Sequence, residues 1–164
     1  RKIKTEQLLL TAPVSLTGMV LGKFFASMTM FGGALLLNSL YFLFLIPYAA
    51  LQTALLFGNI IAILLVGMTF IAIGLFVSSL TENQLTAAIG TIAILAVFLG
   101  ISLLNNLLPS SYWLRYVFNC LSLFSRFQTF TNGMFDLSSL LYYLSVTAIF
   151  LYLTVRVYDR RRYN

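Results

Sequence analysis

Side chains that commonly carry out chemistry are scarce in this sequence. It has no histidine, so the usual acid or base near neutral pH and the commonest metal ligand are both missing. The single cysteine, Cys120, can form neither an internal disulfide nor a thiolate metal cage. The four carboxylates, on Glu6, Glu82, Asp136 and Asp159, lie far apart along the chain. The sequence therefore predicts no catalytic, metal-binding or cofactor-binding residues.

The composition is that of a chain surrounded by lipid. Of its 164 residues, 60% are hydrophobic and 9% are charged, whereas about a quarter are charged in soluble domains. The mean hydropathy is +0.97, and ten basic with four acidic residues cannot cover a globule of this size. We therefore expect an all-α integral membrane protein with a single transmembrane domain over residues 1–164.

The first long apolar stretch must contain two helices. No charge lies between Lys23 and Glu82, and as one helix this stretch would be about 87 Å long, nearly three bilayer cores. Proline disfavours helix in the residue before it, so Pro47 is the best point for the chain to reverse. This predicts transmembrane helices at 24–46 and 53–79.

Two further apolar runs predict two more transmembrane helices. Thr81 and Gln84 have the spacing of a capping box, which indicates the start of a third helix at 83–104. A fourth apolar run over 137–156 follows Asp136, a favourable N-cap residue. Four crossings would place both ends of this chain on the same side of the membrane.

The basic residues indicate which side that is. Eight of the ten fall on the side of the chain ends, and only Arg115 and Arg126 fall on the other. The eight are Arg1, Lys2, Lys4, Lys23, Arg156, Arg160, Arg161 and Arg162. Because positive charge accumulates on the cytoplasmic side, both termini of this chain are predicted to be cytoplasmic. The net charge of +6 is then explained by anionic headgroups, and no nucleic-acid partner is expected.

The segment 110–135 has two interpretations. It is apolar and aromatic enough to span, but Arg115 and Arg126 lie within it, and an arginine at mid-membrane costs about 2.5–3.5 kcal/mol on insertion scales. We therefore favour an outer re-entrant or interfacial helical hairpin. Its predicted membrane-interface residues are Tyr112, Trp113 and Tyr116. Arg126 could contact a transported substrate or extend to lipid headgroups.

Polar and small residues inside the predicted spans also have two explanations. Asn38 and Asn59 lie at membrane depth and could line a translocation path or form hydrogen bonds between helices. Glycines and alanines of the second and third helices favour close helix packing, within one bundle or between two protomers. No ionisable side chain lies inside a predicted span, with Arg156 at the end of the last, so an energy source outside this chain is expected.

The N-terminal segment, 1–23, is cytoplasmic in this topology. Thr5 to Ala12 can form a short helix with a leucine-rich face, ended by Pro13. Such an apolar patch could dock a soluble partner or lie on the membrane surface, and the pattern alone leaves both open.

Five strings carry a resemblance to a known family. They are TEQLLLTAPVS with LGKF near the start, SSLTENQ at 78–84, LSLFSRFQTFTNGMFD at 121–136 and LLYYLSVTAIFLYLTVRVYDRRR at 140–162. Together they cover nearly the whole chain, and the sequence resembles ABC-2-type permeases, the membrane subunits of ATP-binding-cassette exporters. The resemblance is strongest to the gliding-motility-associated branch. That family implies six transmembrane helices, so this chain would hold the last four and lack the first two.

The resemblance also implies partners and contact residues. A separate ATPase subunit would hold ATP and magnesium, and none is expected in this chain, which has no P-loop. The implied ATPase-coupling residues are Thr5, Glu6, Leu8, Leu9, Leu10 and Pro13, with Thr81, Glu82 and Gln84 as a second contact. A second permease protomer, identical or related, is implied, as is location in a plasma membrane of the bacterial inner-membrane type.

Three classes of function compete for this sequence. An export permease driven by a separate ATPase accounts for the cytoplasmic apolar segment and for spans without ion-coupling residues. A membrane scaffold or channel-like subunit needs only the packing glycines and the basic flanks. An intramembrane enzyme is disfavoured, because no histidine and no carboxylate lies in a span.

Overall fold

The computed structural model describes residues 15–48, 53–107, 112–132, 134 and 136–163. Within these ranges the chain forms six helices and no strand, which confirms the predicted all-α class. In chain order the helices are α1 (Leu16–Leu45), α2 (Thr53–Leu80), α3 (Gln84–Leu107), α4 (Tyr112–Leu121), α5 (Leu123–Thr131) and α6 (Leu137–Tyr163).

Four of these helices are long and apolar enough to cross a membrane. They are α1, α2, the Gln84–Leu104 part of α3, and α6. The four predicted helices are therefore present in the predicted order. The two short helices, with 10 residues in α4 and 9 in α5, are each well below the roughly 20 residues that a spanning helix needs.

The first long helix begins at Leu16, not at the predicted residue 24. Ser15 is its N-cap, because the Ser15 hydroxyl oxygen accepts a hydrogen bond from the Gly18 amide at 3.3 Å. Lys23 therefore lies within the helix. A lysine does not interrupt a helix, since its backbone follows ordinary helical geometry and its long stem can reach past apolar neighbours.

The last helix begins as predicted and ends later. Asp136 is its N-cap, with its Oδ1 atom accepting from the Ser138 amide at 3.0 Å, so this prediction is confirmed. The helix continues beyond the predicted residue 156 to Tyr163. Arginine is a good helix former, and the three arginines of the last turn, Arg160 to Arg162, interact favourably with the negative end of the helix dipole.

Helix α2 lies at the centre of the bundle and contacts α1, α3, α5 and α6. The core joins apolar residues of α2 to residues of α5 and α6. Its buried members are Ala62, Leu65, Ile73, Val77, Leu123, Phe130 and Tyr143. The outward faces of α1 and α3 expose many large apolar side chains, as expected of helices solvated by lipid.

The small residues of α2 and α3 behave differently. Gly58, Ala62 and Gly67 of α2 are buried, and a Cβ added at Gly67 would lie 2.1 Å from Cε1 of the Phe31 ring. These α2 residues therefore permit the close approach of neighbouring helices. In α3, by contrast, Ala88, Ala93 and Ala96 are exposed.

The region between α3 and α6 folds as two short helices packed on the bundle. Leu123 and Phe130 of α5 are each only 1% exposed, and α5 contacts α2, α3 and α6. The aromatic residues of α4 lie outside, with Tyr112 94% and Trp113 84% exposed. The helical content agrees with a hairpin, while its depth in the membrane stays a prediction.

A buried hydrogen bond fastens α5 to α6. The hydroxyl of Tyr143, which is fully buried, donates to the backbone carbonyl oxygen of Leu123. Replacing Tyr143 with phenylalanine is expected to destabilise the folded chain by about 1 kcal/mol, because one buried hydrogen bond is lost and the ring volume is kept. Thermal unfolding in detergent measures this change. The matched variant Tyr41→Phe, at an exposed position, should melt like the wild type, and equal melting of both variants would contradict the prediction.

Candidate functional site

One end of the bundle collects basic side chains from two helices. We define this basic end by Lys23 of α1 and Arg160 to Arg162 of α6. The ammonium nitrogen of Lys23 donates to the Tyr158 hydroxyl oxygen at 3.5 Å and lies 5.3 Å from the centre of that ring. These contacts connect the start of α1 to the end of α6, so Lys23 lies at the same end of the bundle as the arginines of α6.

The end of α2 is held at the same place. The Nη2 atom of Arg161 donates to the backbone carbonyl oxygen of Leu80 at 3.2 Å. Leu80 is the last residue of α2, where carbonyl groups have no partner within the helix. The arginine therefore supplies a missing donor and places α6 directly beside the turn that joins α2 to α3.

Three of the predicted ATPase-coupling residues lie here: Thr81 and Glu82 in the turn, and Gln84 as the first residue of α3. Glu82 and Gln84 are exposed, and Thr81 is half-buried. The predicted capping box is wrong, because the Thr81 hydroxyl donates back to the Val77 carbonyl at 3.2 Å. Asn83 is the N-cap instead, with its Oδ1 atom accepting from the Leu85 amide at 3.2 Å. An asparagine directly before the helix is at least as good a cap as a threonine two residues earlier.

The other predicted coupling residues belong to the N-terminal segment. Thr5, Glu6, Leu8, Leu9, Leu10 and Pro13 lie outside the residues that the structure describes. Ser15, which follows this segment, begins α1 at the basic end. The chain therefore enters the bundle at the end where the α2–α3 turn also lies.

The two asparagines predicted at membrane depth share one cavity. Asn38 of α1 and Asn59 of α2 both line a space of about 380 Å³ between these helices, toward the end opposite the basic end. The rest of the lining is mostly apolar and includes Leu35, Phe42 and Ile63. Two amides in an apolar cavity can orient one polar group of a largely apolar molecule.

Arg126 lies elsewhere, between α5 and α6. Its guanidinium carbon is 4.4 Å from the centre of the Tyr142 ring, a close cation–π contact. Its Nε atom is buried and has no hydrogen-bond partner among the described residues. Among those residues Arg126 does not line the cavity of Asn38 and Asn59, so the structure does not bring the three predicted path residues into one site.

Comparison with protein families gives a match over nearly the whole chain. The family model described as ABC-2 family transporter protein matches residues 1–162. The chain belongs to the ABC-2 transporter family. It is therefore a multi-pass membrane protein and the permease subunit of an ABC transporter, a transport subunit that is not itself catalytic. Comparison with curated proteins and with solved structures finds no match.

Several residues that hold side chains and helices of this permease in place were not predicted from the sequence. Tyr158, Tyr152 and Tyr143 of α6 fix Lys23, Arg156 and the Leu123 carbonyl, respectively. In sequence they are three tyrosines among nine. The contact between Tyr152 and Arg156 follows the four-residue spacing of a helix and could have been found from that spacing. The other two join residues 135 and 20 positions apart, and no local pattern indicates such pairs.

Proposed function

We propose that this permease is the membrane subunit of an exporter driven by a separate ATPase, in a plasma membrane, with both ends of the chain cytoplasmic. The observation that carries the proposal is the convergence at the basic end. The start of α1, the end of α6 and the α2–α3 turn lie together there, joined through Lys23, Tyr158, Arg161 and Leu80. A soluble partner bound at this end would contact the α2–α3 turn beside the point where Ser15 begins α1.

The same contacts support a way to transmit movement. Arg161 connects α6 to the end of α2, and α2 packs against α1, α3, α5 and α6. A displacement of the α2–α3 turn by a closing ATPase dimer would therefore reach the central helix directly. We expect alternating access, in which this movement tilts the spans and the substrate crosses between two protomers, identical or related.

The cavity of Asn38 and Asn59 supports an amphiphilic substrate. It lies in an apolar helix pair and offers two amides, so a molecule with an apolar body and one hydrogen-bonding group fits its chemistry. Arg126, with its buried Nε atom, is the candidate contact on the other face of the bundle. A place in the gliding-motility-associated branch belongs to the same proposal.

The test is co-purification of the full-length protein in mild detergent. A stoichiometric P-loop ATPase should co-elute with the wild type, identified by mass spectrometry. It should be lost when Leu8, Leu9 and Leu10 are together replaced with serine, because the leucine-rich face would no longer bury apolar area against the partner.

A matched variant separates this effect from general loss of apolar surface. Leu103, Leu104 and Leu107 are exposed at the far end of α3, so their replacement with serine should leave the ATPase bound. The proposal is wrong if no ATPase co-elutes in several detergents. A membrane scaffold or channel-like subunit would then be the better description.

A further inference from the structure

A second groove opens between α2 and α6 at the basic end. Its volume is about 540 Å³. Three of its lining side chains are apolar, Phe76, Leu153 and Val157, and three are charged, Arg156, Asp159 and Arg160. None of these residues belongs to the predicted coupling elements or to the asparagine cavity.

The lining changes in character along the bundle. Leu153, Arg156 and Arg160 follow one another at spacings of three and four residues, so they share one face of α6. Phe76 lies one turn before the end of α2, and its ring meets Phe150 edge-on at 5.7 Å between centroids. Phe76 and Leu153 therefore lie toward the bundle centre, Asp159 and Arg160 lie toward the helix ends, and Arg156 and Val157 lie between them. An amphiphile parallel to the helices would meet mostly apolar side chains at one end of the groove and mostly charged ones at the other.

The guanidinium of Arg156 is held in place by its own helix. Its Nε atom donates to the Tyr152 hydroxyl oxygen at 2.9 Å, and its Cζ atom lies 5.4 Å from the centre of the Tyr152 ring. The hydrogen bond to Tyr152 is made by Nε and does not involve the two terminal nitrogens of Arg156. A planar guanidinium with two terminal nitrogens matches a phosphate group, and fixing it beforehand lowers the entropy lost on binding.

The charges that line the groove favour a negatively charged ligand. Arg156 and Arg160 are both exposed, and Asp159 is half-buried between them in sequence. Two guanidinium groups and one carboxylate give the lining a net charge of +1, and Arg161 and Arg162 follow directly. A singly charged phosphodiester complements this lining, whereas a headgroup with its own positive charge gains less.

We propose that this groove binds one anionic phospholipid. Its phosphate lies between the guanidinium groups of Arg156 and Arg160, and one acyl chain lies along Phe76, Leu153 and Val157. General attraction of basic residues to an anionic leaflet acts on every exposed arginine alike. The groove differs because it also holds apolar surface and an arginine fixed by Tyr152. This inference does not rest on transport or on an ATPase partner.

The experiment is thermal unfolding of the purified full-length protein in neutral detergent, titrated with phosphatidylglycerol. Because a ligand of the folded state raises the melting temperature, the wild type should show a saturable rise. The double variant Arg156→Gln/Arg160→Gln should need about tenfold more phosphatidylglycerol for the half-maximal rise. Tyr152→Phe should weaken binding several-fold, since Arg156 loses its acceptor.

Matched variants and other ligands separate this site from simple charge effects. Arg162→Gln removes an exposed arginine from the same end, and Arg115→Gln removes one from α4. Both should keep the wild-type midpoint within about twofold, and phosphatidylcholine should give no saturable rise. The lipid assignment is wrong if Arg162→Gln raises the half-maximal phosphatidylglycerol concentration as much as Arg160→Gln alone does. It is also wrong if inorganic phosphate raises the melting temperature as much as phosphatidylglycerol does. It is equally wrong if the double variant only breaks a dimer of this chain while the response to phosphatidylglycerol is unchanged.

Discussion

Replacing Gly67 with alanine is expected to lower the free energy of unfolding of this permease by about 1–3 kcal/mol. The added methyl group would lie 2.1 Å from Cε1 and 2.3 Å from Cζ of the Phe31 ring. Phe31 is half-buried between α1 and α2, so the ring or the whole of α1 must move away from the central helix. Denaturation in detergent, followed by circular dichroism, measures the loss.

Two further variants test the cause. Gly33→Ala adds the same methyl group to α1 where nothing lies within 4 Å, so it should be neutral or stabilising by up to about 1 kcal/mol. In the Gly67→Ala protein, the additional change Phe31→Ala should cost much less than it does in the wild type, because it removes the colliding ring. Strictly additive effects of the two changes would refute the proposed collision.

Replacing Leu9 with serine, or Glu6 with glutamine, is expected to return the partner ATPase to its basal rate in reconstituted membranes. Loss of the contact surface removes the coupling free energy between the subunits, which is about 1–3 kcal/mol in such systems, so we expect stimulation to fall by about 5-fold or more. The measurement is substrate-stimulated ATP hydrolysis by the complex. The expectation depends on the proposed ATPase partner.

The control variant carries the same leucine-to-serine change at a different position. Leu107→Ser makes the same substitution at an exposed residue of α3 far from the basic end, and stimulation should persist. Full stimulation in both the Leu9 and the Glu6 variants would count heavily against a coupling role for the N-terminal segment. Equal loss in Leu107→Ser would assign the effect to damaged membrane insertion.

The long helices could be predicted because their cause is local. An apolar run must be helical in lipid, where every backbone group needs a partner within the segment. The same holds for Asp136, whose carboxylate accepts from the Ser138 amide only two residues further along the chain. The predicted start of α1 at residue 24 is wrong because a charged residue need not end a span: the Lys23 ammonium group donates to the Tyr158 hydroxyl oxygen. That partner comes from the other end of the chain.

The candidate site was predictable in part for the same reason. Charge counting placed Lys23 and the arginines of α6 on one side, and the structure brings them to one end. The contacts that give this end its geometry, Arg161 with Leu80 and Lys23 with Tyr158, join residues 81 and 135 positions apart. Which helix stands next to which is decided by packing around α2, and a single sequence carries no direct record of it.

Through the hydrogen bond between Arg161 and Leu80, a movement of the α2–α3 turn would act on one end of α6. With 27 residues, the helix is about 40 Å long, so a tilt of about 5° about one end moves the other end by about 3.5 Å. Asp136 and the α5 contact of Tyr143 lie at or near the far end from Arg161. A small tilt imposed where α6 meets the α2–α3 turn would therefore produce its largest displacement at the opposite end of α6, and at Tyr143, about 27 Å from Arg161, it would move the α5 contact by about 2.4 Å.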